Sequence, residues 1–149
     1  PDSVVWAGDS QIKKAIMAPP PEMWPVDGTV TRDFIIADKP NGIVPHLGID
    51  FTAPIGTPIV SAGKGVVQQA GFDEYLGNFV EIRHGFGYVT IYGHCRELTT
   101  RAGDHVNKGQ MIGTLGGTGK SSAPHLHFEV WIDDQPVNPR TVIQDNDLQ

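Results

Sequence analysis

The 149-residue sequence has a single cysteine, Cys95, which excludes an internal disulfide framework and any thiolate metal cluster. No apolar run approaches the ~20 residues of a membrane-spanning helix. Cations are also scarce: 11 Lys+Arg stand against 17 Asp+Glu, the net charge is −6, and the longest basic run is Lys13-Lys14. Without a basic stripe there is no counterion-release footprint, so nucleic acid is not expected as a partner. The sequence opens on Pro1, with neither an initiator Met nor a charged-then-apolar leader. We read this as a processed or trimmed chain, silent about export.

What the sequence does have is glycine (18), proline (12) and histidine (6). A chain of this length can bury about 70% of its unfolded surface, enough for one domain with a real core. Residues 1–23 differ from the rest. Ser10-Gln11-Ile12-Lys13-Lys14-Ala15-Ile16-Met17 predicts two helical turns capped by Ser10, stopped by Pro19-Pro20-Pro21. We read 1–23 as an arm or linker, with an inhibitory strap across the active site as the bolder reading. Residues 24–143 are expected to form the domain and 144–149 a tail.

From Trp24 onward no helical period appears, and β-branched or aromatic runs alternate with turn residues. Val66-Val67, Asn78-Phe79-Val80-Glu81-Ile82-Arg83 and Tyr88-Val89-Thr90-Ile91-Tyr92 predict strands, the last two joined by a hairpin at His84-Gly85-Phe86-Gly87. The expected fold class is all-β: a small antiparallel sheet or sandwich with a central groove, of the duplicated hybrid (barrel-sandwich) type, behind an irregular N-terminal arm.

Strand parity then groups the polar residues. In His125-Leu126-His127-Phe128-Glu129-Val130-Trp131, residues two apart share a face, so His125, His127 and Glu129 point one way and Leu126, Phe128 and Val130 into the core. A second motif is His46-Leu47-Gly48-Ile49-Asp50. Fully extended, it would hold His46 and Asp50 about 13 Å apart, too far to share a zinc ion with bonds of ~2.0–2.2 Å. The chain must bend there, and Gly48 permits it. His46, Asp50 and one of the later pair make a two-imidazole, one-carboxylate set that would leave a zinc site cationic and electrophilic. The third motif is Tyr92-Gly93-His94-Cys95, where parity predicts that His94 shares a face with Tyr88, Thr90 and Tyr92, opposite a buried, inert Cys95. His84 is expected to be structural, His105 solvated, and Glu129 to orient an imidazole or make a cross-strand ion pair. Tyr75, Asn78 and Tyr92 are groove-lining candidates.

Together, His46-x-x-x-Asp50-Phe51, Tyr92-Gly93-His94 and Pro124-His125-Leu126-His127-Phe128-Glu129 resemble the signatures of the lysostaphin-type (LytM-like) zinc endopeptidases. The resemblance runs over about residues 24–142, with Gly63-Lys64-Gly65-Val66-Val67 and Val137-Asn138-Pro139 in matching order. It implies hydrolysis of peptide cross-bridges in bacterial peptidoglycan, with one Zn2+ held by His46, Asp50 and His127. It further implies His125 and His94 as unligated catalytic histidines, read here as general base and oxyanion stabiliser respectively. The partners implied are peptidoglycan stems or cross-bridges, with a recruiting protein left open, and the location is extracytoplasmic: periplasmic or secreted. Two departures stand out. Cys95 follows Tyr92-Gly93-His94 where relatives commonly carry Leu after Tyr-Ala-His. Residues 31–42 lack the usual Gly-Phe-Gly-x-Arg pattern, so residues 35–44 are expected to form an atypical loop over the cleft. Two other functions compete: a non-catalytic wall-binding or hydrolase-activating module of the same fold, and a biotinyl, lipoyl or phospho-carrier domain using Lys64 or Lys120. The ligand motif His46-x-x-x-Asp50 serves neither. Which peptide bond is cut, a glycine bridge or a D-alanyl–diamino-acid cross-link, stays open.

Overall fold

A computed structural model describes residues 4–8, 17–36, 41–42, 44–119 and 123–144. The strands in chain order are β1 (Val5–Trp6), β2 (Thr29–Arg32), β3 (Ile49–Thr52), β4 (Pro58–Val60), β5 (Gly65–Asp73), β6 (Gly77–Arg83), β7 (Tyr88–Leu98), β8 (His105–Val106), β9 (Met111–Leu115), β10 (Leu126–Ile132) and β11 (Gln135–Val137), followed by a 3₁₀ turn at Pro139–Thr141. The all-β expectation holds, and every pairing is antiparallel. Most of the predicted helix at residues 10–17 falls outside the described residues, as does much of the 35–44 loop.

The main sheet runs β1-β5-β6-β7-β10-β3-β2. β9 pairs with both β4 and the far end of β7, so these strands join the same eleven-stranded sheet. The core draws on both parts of it. Ile59, Ile112 and Leu115 meet Ile49, Phe51, Tyr92, Leu126, Phe128 and Val130, all fully buried. Trp24 closes one end, its ring 6.0 Å from Phe51 and 6.4 Å from Phe128. In β10 the alternate residues Leu126, Phe128 and Val130 supply the inward face, as parity predicts.

The parity prediction for His94 fails, for an identifiable reason. Along β7 the register against β6 shifts between Val80↔Tyr92 and Asn78↔Cys95, so one residue opposes two. This bulge puts both Tyr92 and Cys95 in the core and turns His94 out of it. His94 itself has φ of 64°, a left-handed conformation costing a non-glycine residue about 1–2 kcal/mol. Its N–H is tied to the Leu76 carbonyl at 2.6 Å, which helps hold the turn.

Gly48 explains the bend before β3. A Cβ at this position would sit 2.3 Å from the Phe128 carbonyl oxygen, so only glycine lets this backbone lie against β10. His46, two residues earlier, exchanges both backbone hydrogen bonds with Ile35. The described part of the N-terminal arm packs elsewhere: β1 pairs with β5, and the N–H groups of Glu22 and Met23 both reach the Ala62 carbonyl.

His84 is the structural histidine that was expected, although its partners lie beyond the hairpin. It is 1% exposed; its Nδ1–H donates to the Lys64 carbonyl at 2.8 Å and its Nε2 accepts from the Thr90 hydroxyl at 2.8 Å. Tyr92 Oη donates in turn to Thr90 Oγ1 and accepts from the Ala62 N–H. The chain has one direction only if His84 is neutral, and burial pushes its pKa down to about 4.

Two outcomes follow. Gly48→Ala should destabilise the domain by about 1–3 kcal/mol in urea unfolding and lower metal affinity, because β3 and β10 must separate. For His84, the unfolded state binds the extra proton first, so stability is complete above pH ~6.5 and declines as pH falls toward 4. Spread over that window the loss is roughly 3 kcal/mol; urea melts of His84→Gln should show a shallower acid slope there.

Candidate metal centre and active site

The register between β3 and β10 places Asp50 directly opposite His127, and that between β10 and β7 places His127 opposite Gly93, next to the bulge. Bend, strand pair and bulge therefore converge on one cleft of about 680 Å3, lined by His46, Asp50, His94, His125, His127 and Glu129 among others. All five site residues predicted from the motifs lie in it. No described residue before Thr31 lines it.

Three of the five form a donor set. His46, Asp50 and His127 each offer one ligand atom, all within 4.8 Å of one another. His46 Nδ1–H donates to the Asp33 carbonyl at 2.8 Å, leaving Nε2, 3.2 Å from Asp50 Oδ1, as the inward-facing lone pair. His127 Nδ1 lies 2.7 Å from the same oxygen, and its Nε2 lies 2.7 Å from Glu129 Oε2. Trp131 Nε1–H donates to the other Glu129 oxygen at 2.6 Å. Burial alone would lower the His127 pKa, but the two carboxylates outweigh it and hold the ring up at about 9. Burial likewise opposes ionisation of Asp50, yet the imidazoles of His127, His46 and His125 together bring its pKa below the usual carboxylate value. In this arrangement a proton on His127 Nδ1 sits between two negative or lone-pair donors. A divalent cation fits the same place: two imidazoles and one carboxylate are a zinc-type donor set, and Glu129 keeps its bond to Nε2–H.

The other two histidines stand beside this set with ring centroids 4.6 Å apart. Each spends its Nδ1–H on a backbone carbonyl: His94 on Thr118 at 2.5 Å and His125 on Ala123 at 2.8 Å. A carbonyl only accepts, so both Nε2 atoms carry lone pairs when the rings are neutral. Burial first, and then the neighbouring imidazoles, hold His94 below the ordinary imidazole range. His125 Nε2 lies 3.8 Å from Asp50 Oδ2.

Of the remaining candidates, Tyr75 lines the cleft, Tyr92 is core, and Asn78 binds the carbonyls of Cys95 and Arg96 instead. His105 is exposed in β8. Four participants escaped the sequence reading. Trp131 was visible only as the next position of the His127 and Glu129 parity; the carbonyls of Asp33, Thr118 and Ala123 carry no side-chain signal at all.

Known proteins resemble this chain in sequence and fold. Residues 44–139 match the model of "Peptidase family M23". A Vibrio cholerae protein named peptidoglycan DD-endopeptidase ShyC is 47% identical over 97 residues, 65% of this chain but 22% of the relative, so the chain spans about a fifth of that protein's length. Among solved structures, a zinc-containing peptidase from Vibrio cholerae superposes with TM-score 0.75 and 35% identity over 89% of this chain and 41% of that one. The antimicrobial peptidase lysostaphin from Staphylococcus simulans gives TM-score 0.69 and 28% identity over 78% of this chain and 49% of its own. With the family model covering well over half the sequence and the motifs in their expected order, the chain belongs to peptidase family M23.

Proposed function

We propose that residues 24–143 form a zinc-dependent endopeptidase domain that hydrolyses peptide cross-bridges of bacterial peptidoglycan outside the cytoplasm. The observation that carries this reading is the placement of two imidazoles, each anchored through Nδ1 to a backbone carbonyl, beside a three-residue donor set in one cleft. The 47% identity to a protein named as a peptidoglycan endopeptidase supports the substrate class, and with it the location. Among the described residues no helix is long and apolar enough to cross a membrane.

His46, Asp50 and His127 would hold the ion. When bound, zinc supplies Lewis acidity, which polarises a carbonyl and acidifies water. The chain's own residues do the rest. Glu129 and the Asp33 carbonyl fix the two ligand rings by their outer nitrogens. His125 and His94 handle the proton. Either neutral ring can accept it at Nε2 from a water in the cleft, and only a ring that has taken it can donate Nε2–H to a developing oxyanion. Because both Nδ1 protons are committed to carbonyls, the base and the oxyanion donor are two states of one coupled pair. His125 as base and His94 as oxyanion donor is therefore one allocation, requiring His94 to carry the proton when the oxyanion forms. Burial of His94, which favours its neutral form, supports the reverse allocation equally well.

Elemental analysis should find one zinc per chain, and His127→Ala should lose it together with at least 1000-fold of the hydrolysis of purified cross-linked muropeptides, scored by mass. Full hydrolysis by metal-depleted protein would overturn the reading; wall binding without hydrolysis by the zinc-loaded chain would make it a binding module instead. Glu129→Gln should keep the fold but weaken zinc about 10–100-fold in competition with a chelator.

A further inference from the structure

The cleft contains a charge that the metal centre does not use. Among its described lining residues Arg32 is the one lysine or arginine. It sits at the end of β2 with its Cα paired to Asp50, so its side chain shares the face of the ligand carboxylate one strand away, about 4.8 Å across the sheet. Neither carboxylate of the cleft neutralises it. Asp50 is taken up by His46 and His127, and Glu129 by His127 and Trp131. Among the described residues no carboxylate lies within 4 Å of the Arg32 guanidinium, whereas the nearby Arg140 closes on Asp33 at 2.7 Å. Arg32 is exposed and lines the cleft, and its planar fork is suited to a carboxylate.

We infer that Arg32 binds a free carboxylate on the substrate, borne by the carbon attached to the scissile nitrogen. This rests on the endopeptidase reading above and deepens it by naming the cross-link. When a D-alanyl carbonyl is joined to the side-chain amine of a diamino acid whose same carbon carries a carboxyl group, a carboxylate carbon lies about 2.5 Å from the scissile nitrogen. The interior of a glycine bridge has no such group. A guanidinium one strand from the ligand Asp50 can meet that carboxylate with two parallel N–H···O bonds while the carbonyl side faces the histidines. The substrate class is thus the carboxylate-bearing D-alanyl–diamino-acid cross-link, and Arg32 is its specificity determinant.

The test uses two cross-linked muropeptide dimers identical except that the acceptor carboxylate is free in one and amidated in the other. The zinc-loaded chain should favour the free carboxylate at least ten-fold in kcat/KM, mostly through KM. Arg32→Ala should bring that ratio near one with zinc content unchanged, and Arg32→Lys should restore part of it. A wild-type ratio near one, or an Arg32→Ala ratio equal to wild type, overturns the inference. If the zinc-loaded wild type cleaves neither dimer, the endopeptidase reading falls by itself; the same ratio is then taken from Kd by calorimetry, where equal values for the two dimers overturn the carboxylate assignment as well.

Discussion

The backbone ladder between β3 and β10 is the constraint on which this molecule turns. It holds Asp50 opposite His127 and Phe51 opposite Leu126, so one register sets both the candidate ligand pair on the outer face and the aromatic core on the inner one. A slip of one residue would exchange those faces, burying a carboxylate and exposing Phe51 or Phe128. Burial of those fully enclosed rings, worth about 1.5–3 kcal/mol each, therefore anchors the position of the ligands. Fold stability and site geometry are the same fact seen from two sides of a sheet.

The site's second organising rule is that every histidine in it has one nitrogen fixed by a partner away from the donor set. Three use backbone carbonyls, of Asp33, Thr118 and Ala123, and His127 uses Glu129. Backbone acceptors belong to the scaffold and do not titrate, so they fix ring tautomers without adding charge. Only at His127 is the acceptor charged, and there the indole of Trp131 holds the carboxylate in turn. The cleft thus contains imidazoles crowded within a few ångströms of one another, each with its tautomer set by its outer partner.

Much of this was legible in the sequence because strands have a period of two. His125-x-His127-x-Glu129 declared a face, and the need to bring His46 to Asp50 declared a bend at Gly48. What parity could not show was its own interruption. The bulge at Gly93-His94 has no composition of its own, since His94 takes a left-handed backbone without being glycine; counting two by two grouped it with Thr90 and Tyr92, which the structure buries. The carbonyl partners were invisible for a similar reason, because a main-chain oxygen is common to all residues and its aim is set by tertiary structure. Arg32 was unreadable too: in sequence it is an ordinary strand-end cation, and only the pairing of β2 with β3 carries it to the cleft beside Asp50.

The bulge has one more consequence, in redox chemistry. By turning His94 outward it turns Cys95 inward, where the thiol is fully buried, lies 3.6 Å from the Tyr92 carbonyl, and has its pKa pushed up to about 12 by burial. A sulfur so placed yields almost no thiolate at neutral pH and has no route to a second thiol. Although adjacent in sequence to a histidine of the cleft, it neither competes for a soft metal nor cross-links copies of the chain in oxidising surroundings.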